Sequence, residues 1–234
     1  MTTRAIALIL PILNEAEFLP VQLNAIACQT LKPTEILFVD AGSTDGSQAL
    51  IDNWWATEGW EGGRCQVLHN PWGMPGANRN LGIRTTQAEW IAFLDGGIEP
   101  EPDWLEQLSQ FCIERQSKAA FGICHFFAEN PFESAICALS YGYDSVHPVI
   151  PASLFHRDIF TEVGFFPEHL SATEDLFWVK NYIANRGHAL FAHRPWCTIT
   201  TPPRRGPAYS INGAPTNAIQ SRREYGISST WPTC

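Results

Sequence analysis

Short, wholly apolar runs alternate with amphipathic stretches through the first half of the chain, the pattern of parallel strands joined by crossover helices. Ala5-Ile6-Ala7-Leu8-Ile9-Leu10 has no polar position, as a strand buried on both faces requires. Glu15 to Gln29 follows with Phe18, Leu19, Leu23, Ile26 and Ala27 at helical spacing. Glu35-Ile36-Leu37-Phe38-Val39 predicts a second strand running into Asp40. The turn residues Gly42-Ser43-Thr44-Asp45-Gly46 then supply an N-cap for a helix over Ser47 to Trp55. Val67-Leu68-His69 predicts a short strand, and Asn78 to Thr85 a helix entered from the Gly- and Pro-rich turn Pro71 to Gly76. Trp90 to Leu94 reads as a central strand ending at Asp95, and Asp103 to Glu114 as a helix.

Beyond residue 118 the order is less regular. Ala119 to Phe127 is apolar, a Pro- and Tyr-containing middle follows, and Glu174 to Arg186 predicts a helix closed by Gly187 as its C-cap. Leu190 to Thr201 predicts a further strand. From Pro202 to Cys234 apolar density falls, and Arg204, Arg205, Arg222 and Arg223 stand against Glu224 alone. This basic tail is either a disordered end or a segment that folds over an anionic ligand.

The chain has 234 residues, 45% hydrophobic and 17% charged, which suits a folded α/β protein. Its net charge of −9 argues against a surface built to coat nucleic acid or an anionic membrane. The longest candidate span, Ala5 to Leu13, is nine residues with Pro11 inside it, far short of the roughly 18 that cross a bilayer, so no transmembrane segment is expected. Only Arg4 precedes that stretch and no small-residue cleavage site follows, so a buried strand rather than a secretion signal is expected. The seven cysteines, Cys28, Cys65, Cys112, Cys124, Cys137, Cys197 and Cys234, contain no C-x-x-C pair. They fit neither a disulfide framework nor a thiolate zinc site and point to a reducing, cytoplasmic setting, with peripheral attachment to a membrane as the alternative. Neither H-E-x-x-H, G-x-S-x-G, G-x-G-x-x-G nor a P-loop lysine occurs.

In an open parallel sheet, ligands bind beyond the carboxyl ends of the strands, so the residues directly after each apolar run matter most. Three such ends are polar: Pro11-Ile12-Leu13-Asn14-Glu15, Asp40 to Gly46, and Asp95-Gly96-Gly97-Ile98-Glu99. Each alone is ordinary turn chemistry. Together, in this order and with Gly76-Ala77-Asn78-Arg79-Asn80-Leu81-Gly82 between the second and third, they resemble the family 2 glycosyltransferases of the GT-A fold. The blocks "LPILNEAEFL", "ILFVDAGSTDGS", "GANRNLGI", "WIAFLDGGIEPEPDWLE" and "ATEDLFW" carry the resemblance across residues 5 to about 201.

That resemblance implies a Rossmann-like α/β/α sandwich with a mainly parallel central sheet. Residues 1–201 would be the GT-A domain, with a nucleotide-binding half over 1–117 and an acceptor and catalytic half over 118–201, and residues 202–234 the tail. It implies an inverting transfer of a sugar from a nucleotide diphosphosugar, UDP-linked, to the hydroxyl of an acceptor that is a saccharide, a lipid or a small molecule. A catalytically degenerate nucleotide-sugar-binding or scaffold protein is the alternative. Pro11, Asn14 and Glu15 would help form the nucleotide pocket, and Asp40 would accept a hydrogen bond from the base. Read without the family, Asp40 satisfies the amides of its own turn. Arg79 is either a helix-surface cation or a nucleotide-side anchor.

The resemblance fails at one position. The family's Asp-x-Asp, whose first carboxylate contacts the ribose and whose last binds the divalent cation (Mg or Mn) bridging the diphosphate, is Asp95-Gly96-Gly97 here. Three outcomes stand open. Asp95 or Glu99 recruits the cation by a shifted geometry, arginines neutralise the leaving diphosphate, or catalysis is lost while nucleotide binding survives. Thr173-Glu174-Asp175 reads as a helix start with acids favoured by the macrodipole. In the family an acid pair opens this helix, and the aspartate matching Asp175 is the catalytic base, with Glu174 beside it. Thr200-Thr201-Pro202-Pro203-Arg204-Arg205-Gly206 resembles a segment of some bacterial relatives, so Arg205, or Arg204, is expected to grip phosphate in place of the metal carboxylate. Trp54, Trp55, Trp104 and Trp178 are expected to pack rather than to stack on sugar.

Overall fold

A computed structural model describes residues 4–126, 149–187, 189 and 197–199. Within them the chain runs β1 (Ile6–Ile12), α1 (Leu19–Ala27), β2 (Glu35–Asp40), α2 (Ser47–Glu58), β3 (Arg64–His69), α3 (Pro75–Thr85), β4 (Trp90–Phe93), β5 (Ile98–Pro100), α4 (Trp104–Glu114), β6 (Ala119–Gly122), β7 (Cys124–Phe126), β8 (Val149–His156), α5 (Asp158–Glu162), α6 (Glu174–Arg186) and β9 (Cys197–Ile199). One sheet has the order β3-β2-β1-β4-β8-β6, and a smaller one the order β5-β9-β7. Strands β1 to β4 are mutually parallel, and β8 runs antiparallel between β4 and β6.

The apolar run of β1 has its explanation in this order. As a central strand it is covered on both faces. Ile6, Leu8, Leu10 and Ile12 pack with Leu19, Leu23 and Ile26 of α1, Ile51 of α2 and Trp104, Leu105 and Leu108 of α4. On the opposite face Ile9, Leu37, Val39 and Phe93 meet Ile83 of α3, Ile159 and Phe160 of α5, and Trp178, Val179 and Tyr182 of α6. The result is the expected α/β/α layering. Fully burying each of these large side chains stabilises the fold by about 1.5–3 kcal/mol relative to exposing it. A polar residue anywhere in β1 would therefore unseat one layer or the other.

Several elements differ from the pattern-based expectation. Helix α1 starts at Leu19, with Pro20 in its first turn, because the Glu15 carbonyl accepts from the N–H groups of both Phe18 and Leu19 and closes a separate turn. Strand β8 was not anticipated. It contains Pro151 and an Ala152 at φ +67°, and the pairing with β6 shifts register between Ala120 and Gly122. A bulge of this kind breaks the period-2 signal that marks a strand. Of the strand expected over Leu190 to Thr201, only β9 falls among the described residues, and the tail from Pro202 lies outside them. Cys28 is disulfide-bonded, contrary to the expectation that the cysteines form no framework, while Cys65, Cys112 and Cys124 are free thiols pushed up to about 12 by burial. Among the described residues no helix is long and apolar enough to cross a membrane.

Candidate active site

Parallel pairing places the carboxyl ends of β3, β2, β1 and β4 along one edge. His69, Asp40 and Ile12 are register partners across that edge, and Leu94 donates its N–H to the Ile9 carbonyl at 3.2 Å one strand further on. The loops after β1 and β2 are stitched together there. Asn14, at φ +55°, donates its N–H to Ser43 Oγ and accepts from the Thr44 N–H, both at 2.9 Å. The N–H of Glu15 goes to Ser47 Oγ and that of Ala16 to Asp45 Oδ2, again at 2.9 Å. Asp45 also receives the Ser47 N–H and hydroxyl, so it is Asp45 that opens α2. Partial desolvation opposes ionisation of Asp45, yet these hydrogen bonds hold its carboxyl below the usual range.

Asp40 is buried and satisfies the amides of its own turn. Its Oδ1 accepts from the N–H groups of Gly42 and Ser43 and from the Ser43 hydroxyl, at 3.2, 2.9 and 2.6 Å. Its Oδ2 lies 3.8 Å from His69 Nδ1 at the rim. Pro11 is within β1, opposite Val39.

The end of β4 is held from below and above. Gln22 donates through Nε2 to the carbonyls of Asp95 and Ile98, at 2.8 and 2.9 Å. Ile98 returns its N–H to the Asp95 carbonyl at 3.3 Å, and Gly97 sits at φ +78°, so Asp95 to Ile98 is a turn with the left-handed third position that favours glycine. Gly96 is bare for a second reason: a Cβ there would lie 2.5 Å from Cδ of Glu15, whose side chain covers it.

Arg79 is not the surface cation that was one of its two expected roles. It is 2% exposed and spans two acids, with Nη2 at 2.7 Å from Asp95 Oδ1 and Nη1 at 2.5 Å from Glu174 Oε1. Its guanidinium also lies over the Phe166 ring, 5.6 Å from the centroid. Burial alone would favour losing the proton, but Asp95 and Glu174 hold the Arg79 pKa above its ordinary value. The bridge draws the start of α6 onto the end of β4. Glu174 is thereby committed, its side chain 6% exposed, whereas Asp95 is 37% exposed. Thr173 does not cap α6 through its side chain and stands at φ +68°. The adjacent Asp175, only half-buried, accepts the Leu176 N–H on Oδ1 at 2.7 Å. At the other end Gly187, at φ +83°, closes the helix with its N–H on the Ile183 carbonyl.

The described residues do not fit a cation held by a pair of protein carboxylates. Position 97 offers none, one oxygen of Asp95 is taken by Arg79, and no group of three or more His, Cys, Asp or Glu side chains is arranged for a metal among the described residues. Glu99 is partly buried, and burial followed by its neighbour Glu101 keeps its carboxyl above the usual range. Arg204 and Arg205 lie outside the described residues.

The sequence pattern did not single out Gln22, Asp45 or Ser47, which hold the loops in place, nor Trp72 at the rim. Gln22 carries one signal, a lone amide on the apolar face of α1, buried to 1% exposure. Trp72 carries another, a large ring between Pro71 and Gly73.

Residues 7–164 match the profile of Glycosyl transferase family 2, and the chain belongs to that family. Glycosyltransferase AglE of Haloferax volcanii is 29% identical over 199 residues, covering 80% of this chain. The chain spans 64% of that relative's length. Among solved structures, S. aureus TarS 1–349 in complex with UDP-GlcNAc has a TM-score of 0.67 at 18% identity, covering 90% of this chain and 62% of the other. The mannosyltransferase PcManGT of Pyrobaculum calidifontis, in complex with GDP-Man and Mn2+, has a TM-score of 0.64 at 20% identity, covering 88% and 59%. The fold is that of the GT-A glycosyltransferases.

Proposed function

We propose that the chain transfers a sugar from a UDP-linked donor to an acceptor hydroxyl with inversion at the anomeric carbon. The observation that carries this reading is the Asp95–Arg79–Glu174 bridge, which joins the strand end that would hold the donor to the helix start that bears Asp175. Asp40 and the Asn14–Glu15 loop would hold the nucleoside beside Asp95. Asp175 would take the acceptor proton as the oxygen attacks the anomeric carbon from the face opposite the diphosphate, and the bond to the nucleoside diphosphate breaks with its electron pair leaving on the phosphate oxygen. In this scheme Arg79 and Glu174 position the two halves and touch neither substrate. No step is assigned to a cation.

UDP is preferred because the TarS complex named above holds UDP-GlcNAc, although the PcManGT complex holds GDP-Man. The second reading, a binder that no longer transfers, is favoured by one feature, the glycine at 97 in a left-handed turn. Calorimetric titration with UDP- and GDP-sugars, followed by measurement of released nucleoside diphosphate, separates the two. Binding with release supports transfer, binding without release under any acceptor mixture supports the binder, and no binding removes both.

A further inference from the structure

Trp72 is the most conspicuous side chain at the strand-end edge that the scheme above leaves unused. It is 91% exposed, the most exposed large apolar residue among those described, and it stands at φ +65°, where a bulky residue is strained. Neither feature helps the chain fold. The backbone around it is nonetheless fixed. The Trp72 N–H goes to the Ala41 carbonyl at 3.0 Å, the Asn70 N–H to the Asp40 carbonyl at 2.9 Å, and the Gly73 N–H to the Asn70 carbonyl at 2.8 Å. Asn70 Nδ2 donates to Asn78 Oδ1, whose Nδ2 returns to the Gly73 carbonyl, tying the loop to α3. A strained, rigid loop thus holds a bare indole beside the turn that Asp40 begins.

The opposite side of that turn is also apolar. Leu13 is 50% exposed and precedes Asn14, which is bonded to Ser43 and Thr44. Leu13 follows β1, Asp40 ends β2, and Trp72 follows β3 by three residues, so two apolar groups bracket a carboxylate across three adjacent strands. Strands one apart from β2 on either side are separated by roughly 10 Å. A flat ring seated between two such walls would make van der Waals contact, about 3.5–4.0 Å, with each. Asp40, which ends the strand between them, has Oδ2 as an acceptor that a ring N–H could use.

We infer that Trp72 is a donor-binding residue that stacks on the nucleobase, with Leu13 as the second wall and Asp40 as the polar group between them. This rests on the donor-site reading given under Proposed function and assigns the group that grips the face of the base. Strain at Trp72 is what keeps the indole out of the body of the protein and ready for the ring.

The test is calorimetry of UDP and GDP against the wild-type chain, Trp72→Ala, Trp72→Phe and Asp40→Asn, with melting temperatures recorded for each. For the tighter nucleotide, Trp72→Ala should weaken binding by about 5- to 150-fold, as loss of one base–aromatic stack does. Trp72→Phe should recover most of it, and neither variant should melt lower than wild type. Trp72→Ala binding like wild type, while Asp40→Asn binds worse, overturns the stack and leaves the donor site standing. Equal losses in Trp72→Ala and Trp72→Phe also overturn the stack. If neither nucleotide binds the wild-type chain, the donor-site reading falls and the stack with it.

Discussion

Replacing Arg79 by methionine removes the guanidinium and keeps most of the volume of its stem. Two acids lose their partner, but unequally. Asp95 is 37% exposed and can be hydrated where it stands, whereas the Glu174 side chain is 6% exposed and is left as an unpaired buried charge. Breaking a buried ion pair in this way costs about 3–5 kcal/mol. For a chain of this size that is a fall in melting temperature of roughly 6–20 °C, at about 2–4 °C per kcal/mol. The assay is urea unfolding of Arg79→Met, Arg79→Lys and the double variant Arg79→Met with Glu174→Leu. Lysine is a single point charge without the guanidinium fork, so Arg79→Lys should fall between wild type and Arg79→Met. The double variant should be more stable than Arg79→Met alone, because the stranded carboxylate is gone. A loss below about 1 kcal/mol in Arg79→Met, or a double variant less stable than the single one, would show that the bridge does not hold α6 to β4 and would refute the reasoning.

Three further expectations follow from the same geometry. Asp175→Asn should lower kcat by about 10²- to 10⁴-fold while donor affinity stays near wild type, measured as released nucleoside diphosphate beside calorimetry; an unchanged kcat removes Asp175 as the base. Because residue 97 carries no carboxylate and Asp95 shares an oxygen with Arg79, donor affinity should survive a chelator and not rise with Mn²⁺; strict dependence on the ion would contradict this. Asp45, held below its usual range by the hydrogen bonds from Ser47 and Ala16 despite partial desolvation, contributes stability that is fully present above about pH 4 and is lost as the pH falls through its depressed folded-state pKa. Asp45→Asn should thus be less stable than wild type at about pH 6, with the difference closing in acid; a gap that is the same at about pH 2.5 would contradict the assignment.

The parts of the fold that the sequence made legible are those whose burial leaves a periodic trace. Strands β1, β2 and β4 and helices α2, α4 and α6 are buried on both faces or along one stripe, and their apolar spacing records it. Strand β8 is as buried as β4 through Ala152, Ser153, Leu154 and Phe155, yet Pro151 and the left-handed Ala152 interrupt the period, so its place in the sheet depends on partners rather than on its own pattern. The site divides in the same way. Asp40 and Asp95 end apolar runs and could be found by position. Arg79 could not be read as a bridge, because its two acids are 16 and 95 residues away and only the folded sheet brings them together.

That bridge also separates two neighbours that the sequence presents as a pair. Glu174 and Asp175 open the same helix, but successive residues there face different ways, one toward the core and one toward the rim. The inward one, Glu174, is paired at 2.5 Å with Arg79, whose own pKa is held above its ordinary value, and the pairing ties Glu174 to a single geometry. The outward one, Asp175, accepts the N–H of Leu176, a bond a carboxylate can keep on one oxygen while the other accepts a proton. A base needs an unobstructed oxygen and a fixed backbone. Division between adjacent residues supplies them: Glu174 fixes the helix start through Arg79 to the strand end bearing Asp95, and Asp175 keeps the oxygen. If that division is right, Glu174→Gln, which retains the shape and loses the charge, should lower stability and kcat together and leave the pH dependence of kcat unmoved. Asp175→Asn should leave stability near wild type and abolish the basic-group limb of the pH–rate profile. A shift of that limb in Glu174→Gln would reverse the two roles.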